Sequence, residues 1–188
     1  LDICVIEKEH HFAEHQSGRN SGVLHPGFNY PPGSLKAQFA TEGTQRMKEY
    51  FEDNNLPIDE LGVVVVATDG EERLRLTEIQ NQATENGVET ELLEGQDEIR
   101  EHEPYAVGEA ALYCPEAASV DSQKYVYSLA GDAENRGVDF FNGYEVEAIH
   151  TSGDTHHIST SNGMITGSYL VNTAGLYADE LAHQVGVG

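Results

Sequence analysis

The chain has no tryptophan, two cysteines, and only ten lysines and arginines against 33 aspartates and glutamates, a formal charge of 10 − 33 = −23. Each scarcity excludes something. With so few cations there is no basic stripe to neutralise phosphates, so binding to nucleic acid or to anionic lipid is disfavoured. Cys4 and Cys114 form no C-x-x-C motif and follow no secretory apolar stretch, so neither a disulfide framework nor export is indicated, and both thiols are expected to be buried. The longest apolar run, Leu61 to Ala67, is interrupted by Gly62 and falls far short of the roughly 20 residues that an integral membrane span needs. P-loop and G-x-S-x-G motifs are missing, which removes the basis for NTPase and hydrolase readings. The one G-x-G, Gly186-Val187-Gly188, follows a helical segment rather than a strand and cannot cradle a dinucleotide.

What is present is a normal hydrophobic share, 38%, under a uniformly anionic surface. Acids are spread through every segment and do not form a tail, the balance expected of a cytoplasmic protein from a salt-loving organism. The length suits one domain or slightly more.

Residues 3–7 read as a strand, and Ser17 to Gly22 as a turn rich in backbone amides. Ser34 is placed to cap a helix carrying Leu35, Phe39, Met47 and Phe51 on one side and ending near Asn54-Asn55. Four consecutive valines, Val63 to Val66, make a buried strand, and Asp69 to Asn86 an amphipathic helix with Leu74, Ile79 and Ala83, stopped by Gly87. Further on come strands at 91–93 and 110–114, helices at 95–102 and 121–135, and a strand at 138–141. A meander of 144–150, 155–161 and 163–166 turns at Ser152-Gly153-Asp154 and Asn162-Gly163, and a strand at 169–172 and a helix at 176–185 finish the chain. The order is α/β, then a mixed excursion, then α/β again, so one domain is split by another.

The apolar strand ending in Glu7 has the form of the second strand of a dinucleotide-binding βαβ unit, whose carboxylate accepts from a ribose, although an ordinary exposed Glu explains it too. Three stretches, Val5-Ile6-Glu7-Lys8-Glu9, Gly18-Arg19-Asn20-Ser21-Gly22-Val23-Leu24-His25-Pro26-Gly27 and Val171-Asn172-Thr173-Ala174-Gly175-Leu176-Tyr177-Ala178-Asp179, resemble the D-amino-acid-oxidase-like FAD-dependent oxidoreductases, most closely the L-2-hydroxyglutarate oxidase/dehydrogenase family. The middle motif is the specific one. The resemblance extends through Pro32 to Ala37, the Gly62 to Thr68 strand and Tyr113 to Asp121.

It implies an α/β fold, α+β overall: a partial Rossmann-like FAD-binding domain (1–55 and 121–188) with a small antiparallel meander, interrupted by part of a mixed-sheet substrate domain (56–120). FAD is the implied cofactor. The implied contacts are Glu7 and Lys8 near the adenosine ribose, the Arg19-Asn20-Ser21-Gly22 loop beside pyrophosphate and flavin, Val146 by its backbone to adenine, and the small corner Thr173-Ala174-Gly175 against the cofactor, with a helix from Leu176 pointing its dipole at phosphate. The sequence opens in mid-strand and closes on a flexible triplet, so it is expected to be a piece of a longer enzyme; without a glycine-rich crossover it should bind FAD weakly or not at all.

The implied reaction is oxidation of a small anionic 2-hydroxy acid by hydride transfer to flavin. This requires a base for the hydroxyl proton and cations for the carboxylates. His25 is the candidate base, with a hydrogen bond to cofactor or a turn cap as its other readings. Arg19 and Lys36 are the candidate carboxylate clamps and Tyr30 a candidate pocket wall. Two other functions stay open: an amino-acid oxidase or glycerol-3-phosphate dehydrogenase-like enzyme of the same architecture, and a non-catalytic acidic module that has lost the cofactor. His10, His11 and His15 invite a metal reading, with positions 11 and 15 on one helix face, but no further ligands follow at usable spacing and no metal is expected. Unpaired sheet edges would favour a homo-oligomer.

Overall fold

The computed structural model describes residues 1–187. In chain order the elements are β1 (Ile3–Glu7), a 3₁₀ turn (Gln16–Gly18), β2 (Val23–Leu24), α1 (Leu35–Asp53), β3 (Ile58–Asp59), β4 (Val63–Ala67), α2 (Gly70–Glu85), β5 (Glu91–Glu94), α3 (Gln96–His102), β6 (Ala110–Cys114), β7 (Ala118–Val120), α4 (Ser122–Asn135), β8 (Val138–Asn142), β9 (Val146–Ser152), β10 (Thr155–Thr160), β11 (Gly163–Gly167), a second 3₁₀ turn (Gly175–Tyr177) and α5 (Ala178–Gln184). The mixed α/β class follows the sequence reading. Two compact units divide the chain, residues 1–19 with 126–188 and residues 20–125, the second break falling inside α4. The breaks at 55 and 120 expected above concern which residues serve cofactor and which serve substrate, and differ from these contact boundaries.

Unit 20–125 is built on the antiparallel sheet β4-β6-β5, with Val63 to Val66 paired to Cys114 to Ala111. The valine run is explained by cover on both faces. Val63, Val65, Leu112 and Cys114 pack toward α2 through Leu76, Ile79 and Ala83, while Val64, Val66 and Ala111 pack toward α3 through Ile99. Asp69 caps α2 by accepting from the amides of Glu71 and Glu72 at 3.0 and 2.9 Å, and Gly87, at φ +72°, lets the Val88 amide return to the Ala83 carbonyl and close the helix. Leu74, expected on the apolar side, is 71% exposed; the stripe that meets the sheet runs through Leu76 and Ala83, seven residues apart.

Helix α1 begins as expected, with Ser34 Oγ accepting from the Ala37 amide at 3.2 Å. Its buried face is Ala37, Thr44 and Phe51 rather than the predicted Leu35, Phe39, Met47 and Phe51: Leu35 and Phe39 are two-thirds exposed, and only Phe51 is shared. A seven-residue repeat of one small, one polar and one large side chain carries little hydrophobic contrast, so the bulkier flanking residues misled the periodicity reading. A second sheet, β2-β7-β3, joins the start of the unit to residues 118–120.

Unit 1–19/126–188 contains the parallel pair β1-β8, in register from Ile3 with Val138 to Glu7 with Asn142, and the meander β9-β10-β11. Phe12 sits edge-on to Phe140 at 5.0 Å and to Tyr127 at 5.8 Å. Helix α5 is tied to the meander by Gln184 Oε1, which accepts from the Ile149 amide at 2.8 Å. Three expectations change here. Cys4 is exposed, so only Cys114 is a buried thiol. Residues 169–172 form no strand, because no neighbouring strand offers them a ladder; Tyr169 and Val171 lie exposed, and Asn172 instead accepts from the Ala174 amide and donates to the Ala178 carbonyl. The helix expected from Leu176 is a 3₁₀ turn there, and α5 proper has seven residues starting at Ala178. Among the described residues no helix is long and apolar enough to cross a membrane.

Candidate functional site

In unit 1–19/126–188 the parallel pairing aligns the carboxyl ends of β1 and β8, the edge at which parallel α/β sheets receive ligands. Glu7 is the last residue of β1. Its Oε1 accepts from the Glu9 amide at 2.8 Å, and its other oxygen makes no hydrogen bond among the described residues. Lys8 follows, with Nζ 3.8 Å above the Tyr177 ring, so this strand end is held against the Gly175–Tyr177 turn. Gly175 has φ +57° and open space where a Cβ would stand, an exposed left-handed corner that backbone-close ligands favour. Beside Glu7 in register, Asn142 has a buried Oδ1 with no partner, while its Nδ2 donates to the His10 carbonyl at 3.3 Å. Two acceptor oxygens without partners, one of them buried, and a side-chain-free corner suit a ligand bearing hydroxyl donors, so these residues fit the ribose end of a dinucleotide. Sequence reasoning missed Asn142, since only the strand register puts it beside Glu7. Val146 opens β9 opposite Thr160, next to a register shift.

The Arg19 to Gly22 loop is less open than its composition promised. The Gly18 and Arg19 amides donate to the carbonyls of His15 and Gln16, and the Gly22 amide donates to Asn20 Oδ1 at 2.8 Å. Gly22 is required for packing: at φ +68°, a Cβ would lie 2.3 Å from the Val120 carbonyl oxygen, and the Val120 amide seats the loop on β7 by donating to the Gly22 carbonyl at 2.8 Å. Asn20 also accepts from Ser122 Oγ at 3.1 Å. Arg19 and Ser21 are exposed.

Unit 20–125 brings His25, Tyr30 and Lys36 together. Phe28 is 2% exposed within the core under α2, and the half-buried His25 ring stacks on it at 4.5 Å and 22°. Tyr30 lies 5.3 Å from His25, and Lys36 Nζ stands 4.2 Å over the Tyr30 ring. Burial holds the His25 pKa below the ordinary 6.5; its own carbonyl pulls the other way less strongly, and the positive Lys36 adds a further push down. His25 is therefore neutral at physiological pH. Its Nδ1 accepts from the Gly27 amide at 3.1 Å.

The loop is fastened by residues that carry no recognisable signal in the sequence. Asn86, the cap residue of α2, donates Nδ2 to the Gly27 carbonyl at 3.1 Å and to the Tyr30 carbonyl at 2.9 Å, and Thr41 Oγ1 donates to the Pro26 carbonyl at 2.9 Å. A shallow groove between α1 and the end of α2 is lined by Ala37, Gln38, Thr41, Glu85 and Asn86, and does not include His25, Tyr30 or Lys36. Residues 11–15 form no helix, so His11 and His15 share no helix face; His15 Nε2 pairs with Glu9 Oε1 at 2.7 Å. Among the described residues no group of three or more His, Cys, Asp or Glu is placed to hold a metal ion.

Comparison with known proteins adds an independent line. The sequence profile of the FAD dependent oxidoreductase family (DAO) matches residues 1–188. L-2-hydroxyglutarate dehydrogenase of Indibacter alkaliphilus is 35% identical over 97% of this chain and 46% of its own length, and that of Escherichia coli K12 is 34% identical over 98% and 44%. Among solved structures, L-alpha-glycerophosphate oxidase of Mycoplasma pneumoniae with FAD bound superposes with a TM-score of 0.87 at 26% identity, over 96% of this chain and 50% of its own. Glycine oxidase of Geobacillus kaustophilus gives 0.90 at 22% identity, a likeness of fold, over 100% and 52%. The chain spans about half the length of the curated relatives it matches.

Proposed function

We propose, for a chain that belongs to the FAD-dependent oxidoreductase family, that the whole protein oxidises an L-2-hydroxy dicarboxylate of the L-2-hydroxyglutarate kind. The observation that carries this reading is the His25-Tyr30-Lys36 cluster: in a chain of charge −23, a cation with no carboxylate partner among the described residues stands over an aromatic ring beside a neutral imidazole. Such a group attracts a carboxylate and presents it to a hydrogen-bonding ring without adding a second fixed charge. The 35% identity to an L-2-hydroxyglutarate dehydrogenase supports the choice of substrate.

When bound, FAD supplies the acceptor for the hydride that leaves the substrate carbon. Glu7 and Asn142 would accept from ribose hydroxyls, Lys8 and Arg19 would offset the pyrophosphate, and the Thr173-Ala174-Gly175 corner would lie against it, with the Val146 backbone toward adenine. Asn20, Ser21 and Gly22 would hold the path of the loop, and Arg19 is a second candidate for a substrate carboxylate. On this reading residues 1–55 and 121–188 serve FAD, 56–120 form part of the substrate domain, and the protein works in the cytoplasm.

The test uses the full-length protein, saturated with FAD and kept anaerobic in potassium chloride buffer. Addition of L-2-hydroxyglutarate should bleach the flavin bands, whereas amino acids and glycerol 3-phosphate should not. Bleaching by one of the latter alone would overturn the substrate assignment, and failure to take up FAD would overturn the enzyme assignment.

A further inference from the structure

We propose that His25 meets substrate as a hydrogen-bond donor through Nε2–H, contributing to carboxylate or hydroxyl binding rather than removing the substrate's proton. This rests on the substrate-face reading given above. Gly27 sets the tautomer. A backbone amide is only a donor, and it lies 3.1 Å from His25 Nδ1, so that nitrogen has to present its lone pair. A neutral imidazole with Nδ1 accepting carries its one hydrogen on Nε2. The Nε2 atom has no partner among the described residues, so this hydrogen is the one the ring has free to donate. A general base would need the opposite, a lone pair facing the substrate hydroxyl.

Two features hold the ring in that state. The turn cannot readily release the Gly27 amide: Gly27 sits at φ +80° with its carbonyl occupied by the Tyr30 amide and Asn86 Nδ2, and a Cβ there would meet Ala40 Cβ at 2.9 Å. The ring itself lies face-on to Phe28, whose side chain is 2% exposed in the core, and a half-turn about Cβ–Cγ, which would put Cδ2 where Nδ1 stands, gives up the Gly27 bond. A proton on Nδ1 would find one acceptor, His25's own carbonyl, and would face the Gly27 N–H and the nearby Lys36 cation. The neutral Nε2–H ring and the Lys36 ammonium together make a pair of donors suited to an oxygen anion, with a single positive charge between them.

Asn and Gln separate the two nitrogens in a test. His25→Asn places an amide oxygen where Nδ1 stood and retains the Gly27 cap while removing the Nε2 donor. His25→Gln reaches the Nε2 position with an N–H₂ group that donates but cannot act as a base. In long-range proton–nitrogen spectra of the full-length protein, with the His25 signals assigned by their loss in His25→Asn, the ring should show the Nε2–H pattern at pH 7.5. In the full-length FAD-loaded protein, His25→Asn should raise KM for L-2-hydroxyglutarate by about 10- to 100-fold with a smaller change in kcat, the size of one hydrogen bond to a charged group. His25→Gln should recover most of that loss. An Nδ1–H or imidazolium pattern overturns the proposal, as does a kcat collapse shared by both variants, which is the mark of a base; either result leaves the substrate face standing. If neither variant, nor Lys36→Met, changes KM, the proposal fails together with the substrate-face reading.

Discussion

Replacing Asn86 by Ala tests how the candidate loop is held. Asn86 lies 59 residues from Gly27 in sequence, yet its half-buried amide donates to two loop carbonyls, those of Gly27 and Tyr30, at 3.1 and 2.9 Å. Each such bond is worth about 0.5–1.5 kcal/mol net, so removing both should cost about 1–3 kcal/mol. For a chain of this length each kcal/mol lowers Tm by roughly 2–4 °C, which puts Asn86→Ala about 4–8 °C below the parent for a loss of about 2 kcal/mol. Asn86→Asp should be worse, because it turns a carboxylate toward two carbonyl oxygens and offers no hydrogen to either. The backbone amide of residue 86 still caps the helix in both variants, bonding to the carbonyls of Gln82 and Thr84, so α2 should keep its circular dichroism. Thermal melts and urea titrations measure the loss, and the His25 ring signals report whether the loop has shifted. An Asn86→Ala protein within about 0.5 kcal/mol of the parent, with unchanged His25 signals, would refute the claim that this side chain fastens the loop.

Three further outcomes are expected. Phe51→Ala should cost about 3–5 kcal/mol, since Phe51 is fully buried and stacked on Tyr125 at 5.6 Å, whereas Phe39→Ala on the exposed face of the same helix should stay within about 0.5 kcal/mol; equal losses in urea unfolding would show that the helix faces are misassigned. The His25 ring should titrate with a midpoint below 6.5, and Lys36→Met should move it upward. Because the folded value is depressed, the unfolded chain takes up the proton first as pH falls, so the stability His25 contributes is intact above pH 6.5 and is lost as pH drops through the folded midpoint, a slope that His25→Gln should remove from a melt series. Raising potassium chloride from about 0.1 to 1 M shortens the screening length from about 10 to about 3 Å and should raise Tm in a chain of charge −23; a flat or falling Tm would count against self-repulsion as a cost of folding.

The elements that were legible share a local signal. Ser34 and Asp69 announce helix starts because their side chains bond amides two or three residues on, and Gly87 announces a stop because the turn needs positive φ. The meander was read from its two turns and from alternation along each strand. What escaped depends on partners far away in sequence. Strands β2, β3 and β7 have two or three residues each and exist only because they find one another. The reverse error at 169–172 has the same origin, since a strand-like composition makes no strand without a neighbour to pair with.

The candidate site divides along the same line. His25, Tyr30 and Lys36 were selected for their chemistry within twelve residues, and the structure brings them together by local stacking. Asn86 and Asn142 were invisible, because the first reads as an ordinary helix cap and the second as a strand end, and only the tertiary structure brings one to the loop and sets the other beside Glu7.

The order of that loop is inherited from the core beneath it. Phe28 belongs to the cluster with Ala83, Val88 and Cys114, and the stack of His25 on Phe28 fixes the imidazole plane to the α2-facing side of the β4-β6-β5 sheet. Asn86 lies between Ala83 and Val88 on the same stretch of chain, so the side chain that bonds the loop carbonyls is anchored by the same segment that packs against Phe28. Close-packed interiors transmit small volume changes. A core substitution such as Val88→Ala, remote from any charged group, should therefore disturb His25 through Phe28, and the orientation of a neutral donor in the candidate substrate face is set by hydrophobic packing as much as by the polar residues around it.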